Sequence, residues 1–248
     1  MGNSTLTDIS FVNGMINLLI VDDNPDILDF LKELFLSFPI YNVHSATKSV
    51  DALSVLRSGK RFHVCVLDLG LCDIENDEYY LLRLYAHHCS VIILTGSDSP
   101  VKGATCIQLG ARSVIEKGVH FNPQKFIELV NNLAIINIVN FRYNDSSGET
   151  LNLATKVLIE KKPQSVTDWA SYMRITDRQL RNLWHNGSGF SAKHILFIFT
   201  FLKQVFQYFT LLNYGAPEDK KTLLSDQEIK KFRSYYITHK DIISFILS

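Results

Sequence analysis

Five polar side chains stand directly after apolar, strand-forming segments of this chain. Asp22 and Asp23 follow LLIV, Asp68 follows FHVCVL, Thr95 follows VIIL, and Lys117 follows ARSVIE. In an open parallel sheet, reacting groups meet outside the carboxyl ends of the strands, so we expect these side chains to share one edge. Carboxylates that converge there repel each other unless a cation neutralises them. Oxygen ligands of this kind favour Mg²⁺, so the sequence predicts a magnesium-binding carboxylate cluster.

Strands and helices alternate over residues 16–140 and would position these groups. The segment before Asp68 is apolar at consecutive positions, which is typical of a parallel strand buried on both faces. After Asp23, Asn24 and Pro25 open a helical pattern. Five such repeats predict an α/β fold, a doubly wound five-stranded parallel sheet with helices on both faces.

Four motifs carry a resemblance to a known family. LLIVDDNPDI, VCVLDLGLCD, VIILTGSDS and GARSVIEKG occur in this order, one at each of four strand ends. Together they resemble the phosphoacceptor site of a response-regulator receiver domain, over about residues 16–140. The resemblance implies a flavodoxin-like fold in which Asp68 accepts a phosphoryl group from a sensor histidine kinase or a phosphotransfer protein.

The resemblance also implies a role for each residue of the site. Thr95 would donate a hydrogen bond to a phosphoryl oxygen, and Lys117 would offset negative charge on the transferred oxygens. The Mg²⁺ ligands would be Asp22, Asp23, Asp68 and the backbone carbonyl of Gly70. We expect a phosphorylated regulator and not an enzyme, since the D-x-D signature of hydrolytic aspartate phosphatases is missing after the first strand.

Two positions depart from the family pattern. Gly118 follows Lys117 where receivers usually have proline, and Val114 occupies the aromatic switch position of the last strand. A small β-branched side chain cannot swing in and out as tyrosine or phenylalanine would. We therefore expect phosphorylation to be retained and the usual switch to be altered.

A second pattern, helical throughout, follows a polar break at residues 142–150. Two helices flank a short turn at residues 174–176, and the second of them carries polar and basic groups on one side. This region, with the GSGFSAKHI segment after it, resembles the first helix-turn-helix of an AraC-type DNA-binding domain, over about residues 151–205. The family's second helix-turn-helix is missing, so we expect a homodimer to supply a second half-site on promoter DNA. The predicted DNA contacts are Arg178, Gln179, Arg181, Asn182 and His185.

The division of charge agrees with two domains of different function. Residues 1–140 contain 10 Lys and Arg against 15 Asp and Glu, whereas residues 141–248 contain 15 against 10. The predicted domains are a flexible arm (1–15), the receiver (16–141), a linker (142–150) and an all-α DNA-binding output domain (151–248). The composition is sufficient for two separate cores.

The alternative function is a receiver-containing interaction protein whose helical half binds a protein partner and not DNA. The apolar segment from Ile195 to Leu202 motivates this alternative. That segment is shorter than the roughly 20 residues that span a bilayer, so no membrane association is expected. Scattered cysteines without a C-x-x-C pair, and the lack of a signal peptide, predict a cytoplasmic protein.

Overall fold

A five-stranded parallel sheet forms the centre of the first half of the chain. The computed structural model describes residues 12–71, 77–96, 99–140, 148–214 and 226–240. The strands are β1 (Ile16–Val21), β2 (Tyr41–Ala46), β3 (Val64–Leu67), β4 (Ser90–Thr95) and β5 (Ser113–Glu116). Their order is β2-β1-β3-β4-β5, and every neighbouring pair is parallel. The predicted doubly wound sheet is confirmed.

Five helices connect and cover the strands. They are α1 (Pro25–Leu36), α2 (Ser49–Arg57), α3 (Tyr80–Ala86), α4 (Pro100–Gln108) and α5 (Pro123–Asn140). Asn24 caps α1 by accepting hydrogen bonds from the amides of Asp26 and Ile27, as the Asn-Pro start predicts. Ser99 caps α4 in the same way, at the amide of Lys102. The loops after β1 and β4 therefore end in fixed helix starts close to the carboxyl edge of the sheet.

The second half of the chain is helical in its described residues. Its helices are α6 (Gly148–Lys161), α7 (Val166–Tyr172), α8 (Asp177–Ser188), α9 (Ala192–Tyr214) and α10 (Asp226–Thr238). Trp169 of α7 and Trp184 of α8 are fully buried, with ring centroids 5.2 Å apart. The Trp169 indole donates to the carbonyl of Ala154 on α6 at 3.0 Å. These contacts join α6, α7 and α8 into one packed unit against α9.

Two hydrophobic clusters exist, but they do not correspond to the two halves. One lies between the sheet and α2, α3 and α4. The other covers the opposite face of the sheet beneath α1 and α5 and continues without interruption into α6–α10. The α/β half and the helical half share a core, because α5 packs against the sheet on one side and against α6 and α9 on the other.

Aromatic side chains make the contact between the halves. The ring of Tyr41 stacks on Phe206 of α9 with centroids 5.8 Å apart, and Phe38 meets Phe209 at 6.1 Å. The Tyr41 hydroxyl, itself buried, donates to the side-chain oxygen of Asn131 on α5 at 2.7 Å. Because these groups are closed off from water, α9 packs as a structural part of the α/β half.

The predicted arm and linker differ partly from what is observed. Val12 is fully buried and Gly14 donates its amide to the carbonyl of Pro39 at 2.8 Å, so this end of the predicted arm is fixed to the fold. Residues 148–150, assigned to the linker, form the first turn of α6. The remaining residues of these two segments, 1–11 and 142–147, lie outside the described part of the chain. Buried contacts of Val12, which a polar pattern does not reveal, account for the first difference.

The helix α9 is long and apolar enough to cross a bilayer by length and composition, with 23 residues and a mean hydropathy of 1.6. In its most apolar window, 56% of the residues are buried inside the fold. Phe199, Leu202 and Phe206 are among them. This burial is typical of a core helix, whose apolar residues are covered by other helices of the same chain.

Candidate functional site

The carboxyl edge of the sheet brings three of the predicted groups into direct contact. The ammonium of Lys117 lies 2.7 Å from Oδ2 of Asp22 and 2.8 Å from Oδ2 of Asp68. Asp22 and Asp68 follow the adjacent strands β1 and β3, whereas Lys117 follows β5 at the far edge of the sheet. Both carboxylates are buried, at 1% and 7% exposure, and the lysine crosses in front of β3 and β4 to reach them. One cation thus neutralises part of the charge of two buried anions.

Backbone hydrogen bonds position Asp22. Its amide donates to the carbonyl of Ala46 at 3.1 Å, which continues the β1–β2 ladder. Its Oδ1 accepts a hydrogen bond from the amide of Asn24 at 3.0 Å, so the residue that caps α1 also orients the carboxylate. Burial raises the pKa of Asp22, while the hydrogen bonds from Lys117 and from the Asn24 amide act in the opposite direction.

Asp23 completes an acidic cluster with Asp22 and Asp68. One carboxylate oxygen from each of the three residues can be chosen so that all lie within 4.8 Å of one another, and Asp23 is the exposed member. A divalent cation that binds through carboxylate oxygens and retains several waters fits this donor set, since the exposed side leaves room for water. The geometry therefore fits the predicted Mg²⁺ site, with Asp22, Asp23 and Asp68 as the residues that would hold the ion.

The register of β4 and β5 sets the position of Lys117. Thr95 is the last residue of β4 and pairs with Glu116, and the Lys117 amide donates to the Thr95 carbonyl at 2.8 Å. Thr95 is half-buried at the edge of the strand next to β3. Gly118 then adopts φ 133°, a conformation that residues with a side chain rarely adopt. Burial alone would lower the pKa of Lys117, but its hydrogen bonds to Asp22 and Asp68 outweigh burial and raise it.

Gly70 lies against the carboxylate of Asp68. A Cβ atom at this position would stand 3.0 Å from Oδ2 of Asp68, closer than nearly all real contacts of that kind. The small residue two positions after Asp68 therefore leaves space on this side of the carboxylate. The role predicted for the Gly70 carbonyl, as a Mg²⁺ ligand, stays a prediction.

One residue near Asp68 was missed by the sequence reasoning. Ser49, the first residue of α2, is 1% exposed and lines a small cavity together with Asp68, Leu71 and Glu78. The signal available in the sequence was its position just after β2, at the same edge of the sheet. A serine after a short strand is too common for that signal to distinguish it.

Val114 is half-buried beneath α4. A Cβ on Gly103 would lie 4.0 Å from Cγ1 of Val114, an ordinary van der Waals distance, so α4 lies directly over this strand at Gly103. The sequence thus has a small residue on both sides of this contact.

The residues predicted to contact DNA lie on α8. Arg178, Gln179, Arg181, Asn182 and His185 are all exposed. Four residues, 173–176, connect α7 to α8, and Arg174 among them has a φ of 56°. Thr176 and Gln179 form a capping box, in which the Gln179 side chain accepts from the Thr176 amide at 2.8 Å. Gln179 therefore differs from the other four because its side-chain oxygen already stabilises the start of α8.

The comparisons with known proteins concern the first half of the chain. The family model described as response regulator receiver domain matches residues 18–131. The receiver domain of a putative Luxo repressor protein from Vibrio parahaemolyticus is 24% identical, with 48% of this chain and 89% of that chain covered and a TM-score of 0.43. The CheY-like receiver domain protein from Methanospirillum hungatei JF-1 is 28% identical, with 48% and 93% covered and a TM-score of 0.42. The Francisella response regulator 1452 receiver domain is 24% identical, with 48% and 96% covered and a TM-score of 0.42.

No curated protein matches the chain. The family match includes all five strands, except for the first two residues of β1. It also includes every side chain of the predicted phosphorylation site: Asp22, Asp23, Asp68, Thr95 and Lys117. The match and the observed sheet therefore agree: residues 18–131 contain a response regulator receiver domain.

Proposed function

We propose that this protein is a response regulator in which phosphorylation of Asp68 controls DNA binding, and thereby transcription, by the helical half of the chain. The phosphoryl donor would be a sensor histidine kinase or a phosphotransfer protein, and the regulator itself would not be an enzyme. The observation that carries the proposal is the contact of Lys117 with both Asp22 and Asp68 at the carboxyl edge of the sheet.

The chemistry of the acceptor follows from this contact. Asp68 supplies the carboxylate oxygen that attacks phosphorus, and the bond from phosphorus to the donor's leaving group breaks. The Lys117 ammonium, 2.8 Å from that carboxylate, would then lie beside the new phosphoryl oxygens and offset their charge. Thr95 would donate its hydroxyl to one of these oxygens. Mg²⁺, held by Asp22, Asp23, Asp68 and the Gly70 carbonyl, would supply further neutralisation of negative charge.

Labelling with a small-molecule phosphodonor tests the acceptor. Acetyl phosphate with Mg²⁺ should add one phosphoryl group to the wild type, measured by intact mass, and chelation with EDTA should prevent the addition. Asp68→Asn should remove the label. Asp51→Asn, at an exposed position on α2, is the matched control and should leave the label unchanged. A label that persists in Asp68→Asn would disprove the assignment of the acceptor.

Three features support DNA binding by the helical half. Residues 141–248 carry an excess of basic residues, α7 and α8 are separated by a short turn, and α8 exposes basic and amide side chains on one side. A helix that presents such groups can enter the major groove, where arginine and asparagine read bases and lysine or arginine contact phosphates. A homodimer would place two copies of α8 on successive half-sites.

The salt dependence of DNA binding tests this part of the proposal. Affinity for duplex DNA from the protein's own upstream region should fall steeply as salt rises, since binding releases counterions from phosphates. Arg178→Ala and Arg181→Ala should weaken binding, whereas Lys230→Ala, at an exposed position on α10, should not. Light scattering with and without acetyl phosphate would measure the dimer. A protein that binds no DNA at low salt would instead point to a protein partner for the helical half.

A further inference from the structure

A groove of about 480 Å³ opens between α5 and α9, and Asp68 is not among the residues that line it. One wall comes from α5 and the opposite wall from α9, and Lys162, directly after the end of α6, forms a third. Residues of both halves thus line it. A volume of this size lies within the range of about 300–1,000 Å³ found for small-molecule sites.

Two lysines that form no ion pair within the described part of the chain face this groove. Among the described residues, neither Lys162 nor Lys203 forms an ion pair with an Asp or Glu side chain. Lys203 is half-buried, with its ammonium 5.7 Å from the ring centroid of Phe199. Burial lowers the pKa of Lys203, and the positive charge of Lys162 lowers it further. An anion between the two ammonium groups would remove this electrostatic cost.

The backbone of Lys162 is held in an uncommon conformation. Its φ is 50°, in the left-handed region that residues other than glycine rarely adopt. Its amide donates to the Leu158 carbonyl at 3.1 Å, and its own carbonyl accepts from the Gln164 side chain at 3.0 Å. These bonds fix the point from which the lysine side chain extends into the groove. A residue with a long charged side chain, and not glycine, therefore occupies this left-handed position.

The remaining polar residues of the groove are mostly neutral. Gln124, Asn132, Gln207 and Thr210 supply hydrogen-bond donors and acceptors along its walls. Among the described residues that line it, Glu128 is the single acidic one, and it is exposed. Two cations against one exposed anion leave the groove with a net positive charge, which selects an anionic ligand.

We propose that this groove binds a small phosphorylated molecule, whose phosphate contacts Lys162 and Lys203 and whose uncharged part contacts the amide side chains of α5 and α9. Such a ligand would link the receiver half to the helical half. The site is separate from the phosphorylation site and does not depend on the proposed DNA binding.

Thermal unfolding with defined probes tests the proposal. The probes are inorganic pyrophosphate and AMP, added with EDTA present to exclude Mg²⁺, to the full-length protein and to Asp68→Asn. We expect a saturable rise of the melting temperature in both proteins, above that given by sodium chloride at equal ionic strength. A rise with AMP would support both parts of the proposal, whereas a rise with pyrophosphate and none with AMP would refute the contact of the uncharged part with the amide side chains of α5 and α9.

Substitutions in the groove give opposite expected effects. Lys162→Gln and Lys203→Gln should each weaken binding about tenfold, the loss expected for one charge-assisted hydrogen bond. Glu128→Gln should tighten binding by about threefold, since it removes a repulsive exposed charge. Lys161→Gln, an exposed neighbour that does not line the groove, is the control and should bind as the wild type does.

Two results would overturn the proposal. In the first, neither probe raises the melting temperature above the value measured in sodium chloride at equal ionic strength. In the second, Lys161→Gln weakens binding as much as Lys162→Gln does. If Lys203→Gln does not fold, the opposite shifts expected for Lys162→Gln and Glu128→Gln still decide. Because EDTA and Asp68→Asn exclude the phosphorylation site, a failed Asp68 assignment would leave this result unchanged.

Discussion

Replacement of Phe209 by alanine tests whether the two halves unfold together. Phe209 is 1% exposed and its ring lies 6.1 Å from that of Phe38, between α9 and the end of α1. Loss of the ring removes about 1.5–3 kcal/mol of burial free energy. A cavity then remains beside Phe38, and such core substitutions cost about 3–5 kcal/mol in total. For a chain of this size, the melting temperature should fall by about 6–20 °C.

Two optical signals can follow the unfolding of each half. The two tryptophans of the chain, Trp169 and Trp184, are both buried in the helical half, so their fluorescence reports that half. Far-ultraviolet circular dichroism reports the whole chain. Because the core is continuous, both signals should change at the same temperature in the wild type, and both should shift together in Phe209→Ala.

The control for this experiment is Leu212→Ala. Leu212 is on the same helix but is 49% exposed, so its replacement should change the unfolding free energy by no more than about 0.5 kcal/mol. Separate midpoints for fluorescence and circular dichroism would refute the shared core. The shared core would also be refuted if Phe209→Ala shifted the fluorescence transition but left a separate circular dichroism transition unchanged.

Three further predictions concern single sites. Gly70→Ala should slow labelling of Asp68 by acetyl phosphate by about fivefold, because the added methyl group would stand 3.0 Å from a carboxylate oxygen. Thr176→Ala should lower the unfolding free energy by about 1 kcal/mol in urea titrations through loss of the α8 cap, and Thr176→Ser should preserve it. Burial lowers the pKa of His194 below its usual 6.5, and the charge of His239 lowers it further. The neutral imidazole therefore contributes to stability above pH 6.5, and this contribution is lost as the pH falls through the pKa of the folded state. The free energy of unfolding, measured by urea titration, should therefore decrease less between pH 7.5 and 5.5 in His194→Gln than in the wild type.

The meeting of Asp22, Asp68 and Lys117 at one edge of the sheet was largely predictable from the sequence. Asp22, Asp68 and Lys117 each follow a strand-forming segment. The carboxyl ends of parallel strands lie at one edge of the sheet, independently of the conformation of the loops. Residue types alone did not reveal that Lys117 contacts both carboxylates at once. That contact depends on the register of β4 and β5, which fixes where the lysine leaves the sheet.

The helical half was less predictable in its details. The pattern around Thr176 predicted the start of α8, and the capping box there is observed. The sequence analysis also predicted Gln179 as a DNA contact, because a capping residue and a polar residue on an exposed helix face cannot be distinguished from the sequence. Only the hydrogen bond from the Thr176 amide distinguishes them.

By itself, the sequence determined the alternation of strands and helices, the polar residues at the strand ends and the polar face of α8, because these depend on local periodicity and chain order. The tertiary structure decided what covers α9. Its apolar pattern requires burial but does not specify a partner, and Phe206 and Phe209 find theirs in Tyr41 and Phe38, far away in the chain. The groove that carries Lys162 and Lys203 exists for the same reason, since its walls meet only when α9 packs against α5.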